Sequence, residues 1–148
     1  MPEISEKVVL ESVVLEKSHE NEEMYLKAIY LLEELGLRPV HAIDVAKLLK
    51  ISLPSCVEML NKLDKKKFIS YNGRNGIQFK GKGKKLAEKI IRNFRLTELL
   101  FRDILKLDFE DDSVCRFEHV VTDKIAIALR KVLNNPKKCP HGKNIPVY

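Results

Sequence analysis

Residues 41–80, HAIDVAKLLKISLPSCVEMLNKLDKKKFISYNGRNGIQFK, decide the fold. The first ten predict a compact helix with Val45, Ala46, Leu48 and Leu49 turned to a core. Lys50, Ile51 and Ser52 leave room only for a tight turn. Ser52 has the side-chain oxygen of a helix cap, and Pro54 fits a first helical turn, where its missing N–H would have no intrahelical partner. A second helix is therefore expected from Ser52 through Val57, Leu60 and Leu63 to near Lys66. Two short helices joined so closely make a helix-turn-helix. Residues 68–71 and 77–80 then read as strands on either side of Asn72-Gly73-Arg74-Asn75-Gly76, whose Asn and Gly residues suit a hairpin turn. A helix-turn-helix followed by a hairpin is a winged helix.

Working outward, Asn21 is positioned to cap an earlier helix, with Glu22 and Glu23 favoured by its dipole. Met24, Leu26, Ile29, Tyr30, Leu32 and Leu35 form its apolar stripe, and Gly36 ends it. Met24 by default fills the core; its other available role is as a thioether ligand. Residues 1–18 mix Val8, Val9, Leu10, Val13, Val14 and Leu15 unevenly with acidic and polar residues, and read as a short helix or arm packed on the body. On the other side, Leu86, Ile90 and Phe94 begin a long helical pattern after Gly83, extended by Leu99, Leu100 and Ile104 and broken at residues 108–112. A helix around Cys115 follows. A last helix starts at Thr122-Asp123, runs through Ile125, Ala128, Leu129 and Val132, and stops at Asn134-Asn135-Pro136. The tail at residues 139–146 is extended and turn-rich.

The chain thus reads as mostly α, in three parts. An N-terminal extension (1–18) precedes a winged-helix domain with a small β-hairpin wing (19–81), and an all-α domain (82–148) follows. The 148 residues suffice for one substantial core or two small helical units. No apolar run approaches the roughly 18 residues of a membrane span, and the acidic start is no signal peptide. Three scattered cysteines make no disulfide framework, which points to a reducing cytoplasm.

Charge is unevenly distributed. Residues 1–40 carry nine acids and four Lys/Arg, residues 41–95 carry four acids and fourteen Lys/Arg, and the remainder is near balance. The net +6 therefore conceals a block of +10 over the winged helix, the signature of a polyanion partner. In a helix-turn-helix the second helix enters the major groove and its N-terminal residues meet base edges. Here those are Ser52, Pro54, Ser55 and Glu58, with Asn61 and Lys62 one turn on. Glu58 can accept from a cytosine amino group, and Pro54 can lie against a thymine methyl. Lys47, Lys50, Lys62, Lys65, Arg74 and the Lys80–Lys85 cluster would meet phosphates. The competing reading is a protein-interaction module with a Lys-rich solvated face. Cys56 reads as a small apolar residue on the buried side of the recognition helix.

Cys115, Glu118 and His119 stand at i, i+3 and i+4, so a helix projects all three from one face. A thiolate, a carboxylate and an imidazole together are half a shell for a divalent transition metal. An amphipathic helix with a buried Cys and a surface Glu-His pair has the same spacing. Cys139 and His141 are likewise potential ligands or parts of a structural closure, and closure is the simpler reading.

Residues 23–30 (EMYLKAIY), Ser52-Leu53-Pro54-Ser55, residues 115–120 (CRFEHV) and Cys139-Pro140-His141-Gly142 together resemble the diphtheria toxin repressor and manganese transport regulator family, collinearly from about residue 20 to 146. The resemblance implies a homodimeric, metal-activated transcriptional repressor acting on metal-homeostasis genes. Its winged helix is followed by a helical dimerisation and metal-binding domain. It also implies an inverted-repeat DNA operator, no small-molecule substrate and no enzymatic activity. Met24, Cys115, Glu118 and His119 match the main metal site of the iron-type members. Manganese-type members place carboxylates at the first two positions; thioether and thiolate favour Fe(II) over Mn(II), with Zn(II), Ni(II) and Co(II) as further candidates.

The departures bear on a second site. Phe94 stands where many relatives have a metal-binding His, Glu98 matches a ligand, and Asp111 replaces a His. The second site is thus either lost or rebuilt from the carboxylates of Glu98 and Asp111, and one well-formed metal site is expected. Arg95 matches an anion-clamping Arg, while Cys139 and Lys143 replace its small polar partners. The chain ends at Tyr148, so the β-barrel domain of some relatives is expected to be absent, and the 1–18 extension exceeds the usual length. Two rivals stay open: a metal-blind winged-helix regulator with Cys115 merely buried, and a zinc enzyme using Cys115, Glu118 and His119. The enzyme reading has no His-Glu-x-x-His run or separate base to support it, and leaves the basic block unexplained.

Overall fold

The computed structural model of the chain describes residues 22–147; the Asn21 cap and the 1–18 arm lie outside them. Helix α1 is Glu22–Glu34, α2 is Ala42–Leu49 and α3 is Leu53–Lys65. Strands β1, Ile69–Asn72, and β2, Gly76–Phe79, follow, then α4, Gly81–Leu99, which continues as a π turn over Leu100–Ile104. Helix α5 is Asp112–Glu118 and α6 is Asp123–Val132. The chain divides into two compact units between Ala87 and Glu88, inside α4 and beyond the 81/82 boundary read from the sequence. A continuous helix carries the chain from one unit to the next, so no linker composition marks the division.

In the first unit α1, α2 and α3 pack on one another and α3 packs on β1. The turn between α2 and α3 has the expected chemistry. Lys50 is left-handed (φ 55°), and Ile51 N donates to Ala46 O at 3.1 Å, closing the helix end. Asp44 Oδ2 accepts from His41 N at 2.9 Å at the start of α2. Ser52 caps α3, its Oγ accepting from Ser55 N at 3.3 Å, with Pro54 in the first turn. Cys56, Leu60 and Leu63 are the buried face of α3. Cys56 Sγ donates to Ala42 O at 3.5 Å, and burial pushes its thiol up to about 11, so it stays a protonated core residue.

Helix α1 is buried almost all round rather than along one stripe. Tyr25, Lys27, Ala28 and Leu31 are buried beside Met24, Leu26, Ile29 and Leu32, while Tyr30 and Leu35 are only half-buried.

The hairpin is antiparallel, pairing Ile69 with Phe79 and Asn72 with Gly76. Asn72 Oδ1 accepts from Arg74 N at 2.8 Å and Asn75 N at 3.3 Å, which folds the turn locally. Gly76 has φ +82°, and a Cβ there would lie 2.8 Å from both Pro39 Cβ and Val40 O, so the residue must be Gly. Val40 bridges to Ile77 and ties the loop after α1 to the wing.

The second unit has two apolar clusters. Leu96, Leu99, Val121, Ala126, Leu129, Cys139 and Ile145 form one, which pins the tail beneath α4 and α6. Phe94, Phe101, Val114 and Cys115 form the other. Thr122 caps α6, its Oγ1 accepting from Ile125 N at 3.3 Å. Only part of the apolar content of α6 faces the core. Ala126 and Leu129 are buried, whereas Ile125, Ile127 and Val132 are 39%, 57% and 57% exposed. The helix therefore carries apolar side chains on more than its inner face.

Candidate nucleic-acid interface and metal centre

The first unit puts all eight sequence-derived DNA contacts on its surface. Lys47, Ser52, Pro54, Ser55, Glu58, Asn61, Lys62 and Arg74 are exposed. Ser52, Pro54 and Ser55 occupy the start of α3, whose opposite face is buried, so the helix is held by its core side and offers its polar side outward. Ser52 Oγ also donates to Ser55 Oγ at 2.9 Å, and Glu58 pairs with Lys62 at 3.7 Å along the helix. That pair is solvated and contributes little to stability, which leaves both groups available to a ligand. Arg74 sits in the wing turn beside Gly73.

In the second unit Cys115, Glu118 and His119 stand within little more than one turn at the end of α5. Asp111 caps α5, accepting from Ser113 N at 2.8 Å and from Ser113 Oγ. Cys115 and Glu118 are helical and His119 is the C-cap, still with right-handed φ −69° and ψ −19°. The i, i+3, i+4 relation therefore survives to the last residue. Cys115 is buried against Phe94 and Phe101. The Glu118 carboxylate is 2% exposed and its Oε1 lies 3.9 Å from His119 Nε2. A carboxylate in that setting carries a large desolvation cost unless a cation or donors offset it, and a thiol and an imidazole on the same helix end are donor types that suit a transition metal. The donor set fits a divalent metal. Met24 is a buried residue of α1 in the first unit.

Asp111 and Glu98 have different partners. The Asp111 carboxyl is exposed and held below its ordinary range by the Ser113 hydroxyl and backbone N–H, as an N-cap is. Glu98, 1% exposed on α4, is grouped with Cys139 and His141, and the three donor atoms lie within 4.8 Å of one another. His141 Nδ1 is 3.1 Å from Glu98 Oε2, and His141 Nε2 is 3.7 Å from Glu110 Oε1. The neighbouring Cys139 thiol and the Glu98 carboxylate push the imidazole up to about 10. Arg95 is buried and its Nη1 donates to Asn144 O at 2.6 Å, so the expected anion clamp holds the tail backbone. The sequence offers Cys139 and His141 as potential ligands but does not show their meeting with Glu98. The signal was present as Cys-Pro-His, two ligand types separated by one rigid residue.

A winged helix with an exposed polar recognition face, joined to a helical unit with a clustered thiol, carboxylate and imidazole, defines a class: DNA-binding regulators that carry a metal-ligating domain. The chain belongs to the iron-dependent repressor family. Residues 17–77 match its N-terminal DNA-binding domain, and residues 80–147 match its metal-binding and dimerisation domain. It is 35% identical over 126 residues to the iron-dependent repressor IdeR of Mycobacterium leprae, covering 84% of this chain and 54% of that protein. The diphtheria toxin repressor of Corynebacterium diphtheriae is also 35% identical over 126 residues, with 84% and 55% covered. The chain therefore spans about half the length of these curated relatives. Among solved structures it is similar to the metal-dependent transcriptional regulator MtsR, with a TM-score of 0.74 and 32% identity over 85% of this chain and 59% of that one. Among the described residues, no helix is long and apolar enough to cross a membrane.

Proposed function

We propose that the protein is a cytoplasmic, metal-activated transcriptional repressor that binds an inverted-repeat operator as a homodimer and controls metal-homeostasis genes. It has no enzymatic activity in this reading. The observation that carries it is the end of α5, where a buried thiol, a buried carboxylate and an imidazole stand within little more than one helical turn. Cys115, Glu118 and His119 hold the metal, and Met24 of the first unit is the fourth ligand, on the strength of the sequence resemblance alone. The soft sulfur donors favour Fe(II) over Mn(II). The metal supplies a bond network that favours one arrangement of the two units, and it can do so only to the extent that it binds that arrangement better.

The wing and α3 then read DNA. Ser52, Pro54, Ser55, Glu58 and Asn61 face bases, while Lys47, Lys62 and Arg74 face phosphates. The domains are a winged helix over residues 19–81 and a dimerisation and metal-binding domain over 82–148. Two-fold symmetry sets two recognition helices about 34 Å apart, or a multiple of it, and hence a palindromic site.

The test is selection from random duplex DNA under anaerobic conditions with Fe(II), Mn(II), Zn(II) or a chelator. Recovery of one inverted repeat only with metal, best with Fe(II), is the expected result. Equal selection with chelator would leave a metal-blind regulator, and no selection in any arm would remove the DNA reading.

A further inference from the structure

The first unit holds a cleft of about 710 Å³ between the loop after α1 and the wing, and Glu33 of α1 and Lys84 of α4 also line it. Among the described residues, none of α3 contributes to the lining. The two walls are fastened together by backbone. Ile77 N donates to Val40 O at 2.8 Å. Gly76 lies so close to the loop that a Cβ would meet both Pro39 Cβ and Val40 O at 2.8 Å. The cleft is therefore part of the fold, not a chance gap between surface side chains.

Its lining is cationic. Arg38, Arg74 and Lys84 stand against one acid among the described residues, Glu33. Lys84 Nζ lies 3.7 Å from Glu33 Oε1, and over the Tyr30 and Phe79 rings at 4.9 and 5.4 Å from their centroids. The carboxylate is thus already matched by a lysine held over two aromatic rings. Arg38 and Arg74, both exposed, leave the lining net positive. A guanidinium presents a planar fork that takes phosphoryl oxygens two at a time. Asn75 and Gln78 add amide donors and acceptors, and Pro39 and Ile77 add apolar surface. The volume falls within the about 300–1,000 Å³ of small-molecule sites. A lone phosphate would fill little of it, whereas a nucleotide has both the size and the mixed polarity.

We propose that this cleft binds a free polyphosphorylated anion, up to a nucleoside diphosphate in size, with Arg38 and Arg74 on its phosphoryl oxygens. Lys84 is a positioning residue, whose pairing with Glu33 cancels the one charge in the lining that would repel the anion. The site shares Arg74 with the DNA contacts and nothing with the recognition helix. Its consequence for DNA rests on the regulator reading: a bound anion occupies Arg74 and competes with the DNA backbone, so it lowers DNA affinity. The DNA backbone carries the same phosphate chemistry, and the two sources differ in whether a free anion binds when no DNA is present.

The test is calorimetric titration of the full chain with ADP, in chelator, at constant ionic strength and without DNA. One saturable site is expected. Affinity should fall by at least about tenfold in R38Q, whose exposed side chain can be changed without opening the core. It should stay unchanged in K62A, which removes a cation of the recognition helix outside the cleft. No saturable binding, or equal losses in R38Q and K62A, would overturn the site. Duplex DNA supplies the second arm. ADP should weaken DNA binding by the wild type, and should need about tenfold more ADP to do so with R38Q. If R38Q weakens DNA binding while ADP does not bind, the phosphate is that of the DNA backbone and the free-anion site is overturned. A chain that binds ADP in this pattern but binds no DNA would keep the site and count against the regulator reading.

Discussion

The Arg92 guanidinium, 3% exposed, donates through Nη2 to Asp123 Oδ1 at 2.9 Å, while the Asp123 carboxylate is 61% exposed. A buried cation on α4 is thus matched by a surface anion in the first turn of α6. Lys89 Nζ reaches Asp123 Oδ2 at 3.0 Å from the same helix. Together Arg92 and Lys89 tie α6 to α4, and Asp123 sits where the helix dipole favours an anion.

A pH dependence follows from this contact. The bonds from Arg92, then Lys89, hold the Asp123 carboxyl below its ordinary 3.8. A folded-state pKa below the unfolded one contributes stability that is present above the unfolded value and is lost as pH falls through the folded value. Asp123→Asn should therefore melt below the wild type near neutral pH, with the gap closing at an acid pH well below the ordinary carboxylate value. Thermal melts at both pH values decide it, and a gap that is the same at both would show the effect to be packing instead of charge.

Gly83 gives a second prediction. A Cβ there would lie 1.9 Å from Phe68 O and 2.7 Å from Phe68 C, both backbone atoms that cannot move aside alone. Gly83 is therefore what lets the start of α4 lie against the base of the wing. Gly83→Ala should destabilise the first unit by about 1–3 kcal/mol or more, as overpacking does, although alanine is the better helix former. Denaturant unfolding followed by a probe on the wing measures this, and an unchanged midpoint would mean that α4 can shift at no cost.

On DNA, two classes of substitution should separate. Lys62→Ala and Arg74→Ala remove exposed charges that would meet phosphates. Each should weaken binding to all sequences alike and reduce the slope of log affinity against log salt by about 1. Ser55→Ala and Glu58→Ala should instead relax preference at single base positions by about 1–3 kcal/mol with little change in slope. Fluorescence anisotropy across a salt series, on the selected site and on single-base variants, distinguishes the two. Uniform weakening by all four would mean that α3 does not read bases.

What could be read from the sequence was what is encoded locally. Ser52 and Pro54 start a helix by their own chemistry, Asn72 and Gly76 fold a turn within five residues, and Thr122 caps wherever it precedes a helix. Burial across the chain was less legible. The stripe read on α1 missed Tyr25, Lys27 and Leu31, because a short helix at the centre of a small unit is covered on nearly every side and its periodicity no longer reports its environment. On α6 the sequence marks Ile125, Ala128, Leu129 and Val132 without fixing the core face, and the cluster with the tail loop takes Ala126 and Leu129, a contact invisible to helical spacing. The Cys115, Glu118 and His119 relation was legible because one helix carries it. Glu98 with Cys139 and His141 was not, since a helix and a loop separated by the whole of α5 and α6 must fold before the three donors meet.

The Cys115 cluster allows the most direct test of function. Cys115 is a buried neighbour of Phe94 and Phe101, so serine there retains most of the volume, and His119 is a surface cap whose loss opens no cavity. Cys115→Ser with His119→Ala should keep the helix content and lower thermal stability only modestly, while removing metal-stimulated operator binding. The reciprocal effect should vanish with it. In the wild type, operator DNA should tighten metal binding by the same factor by which metal tightens DNA binding, a coupling typically worth about 1–3 kcal/mol, and in the double variant neither ligand should alter the affinity of the other. Metal titrations with and without operator measure both halves. Wild-type coupling in the double variant would show that the regulatory metal is held elsewhere, and the Glu98 cluster would be the next place to look.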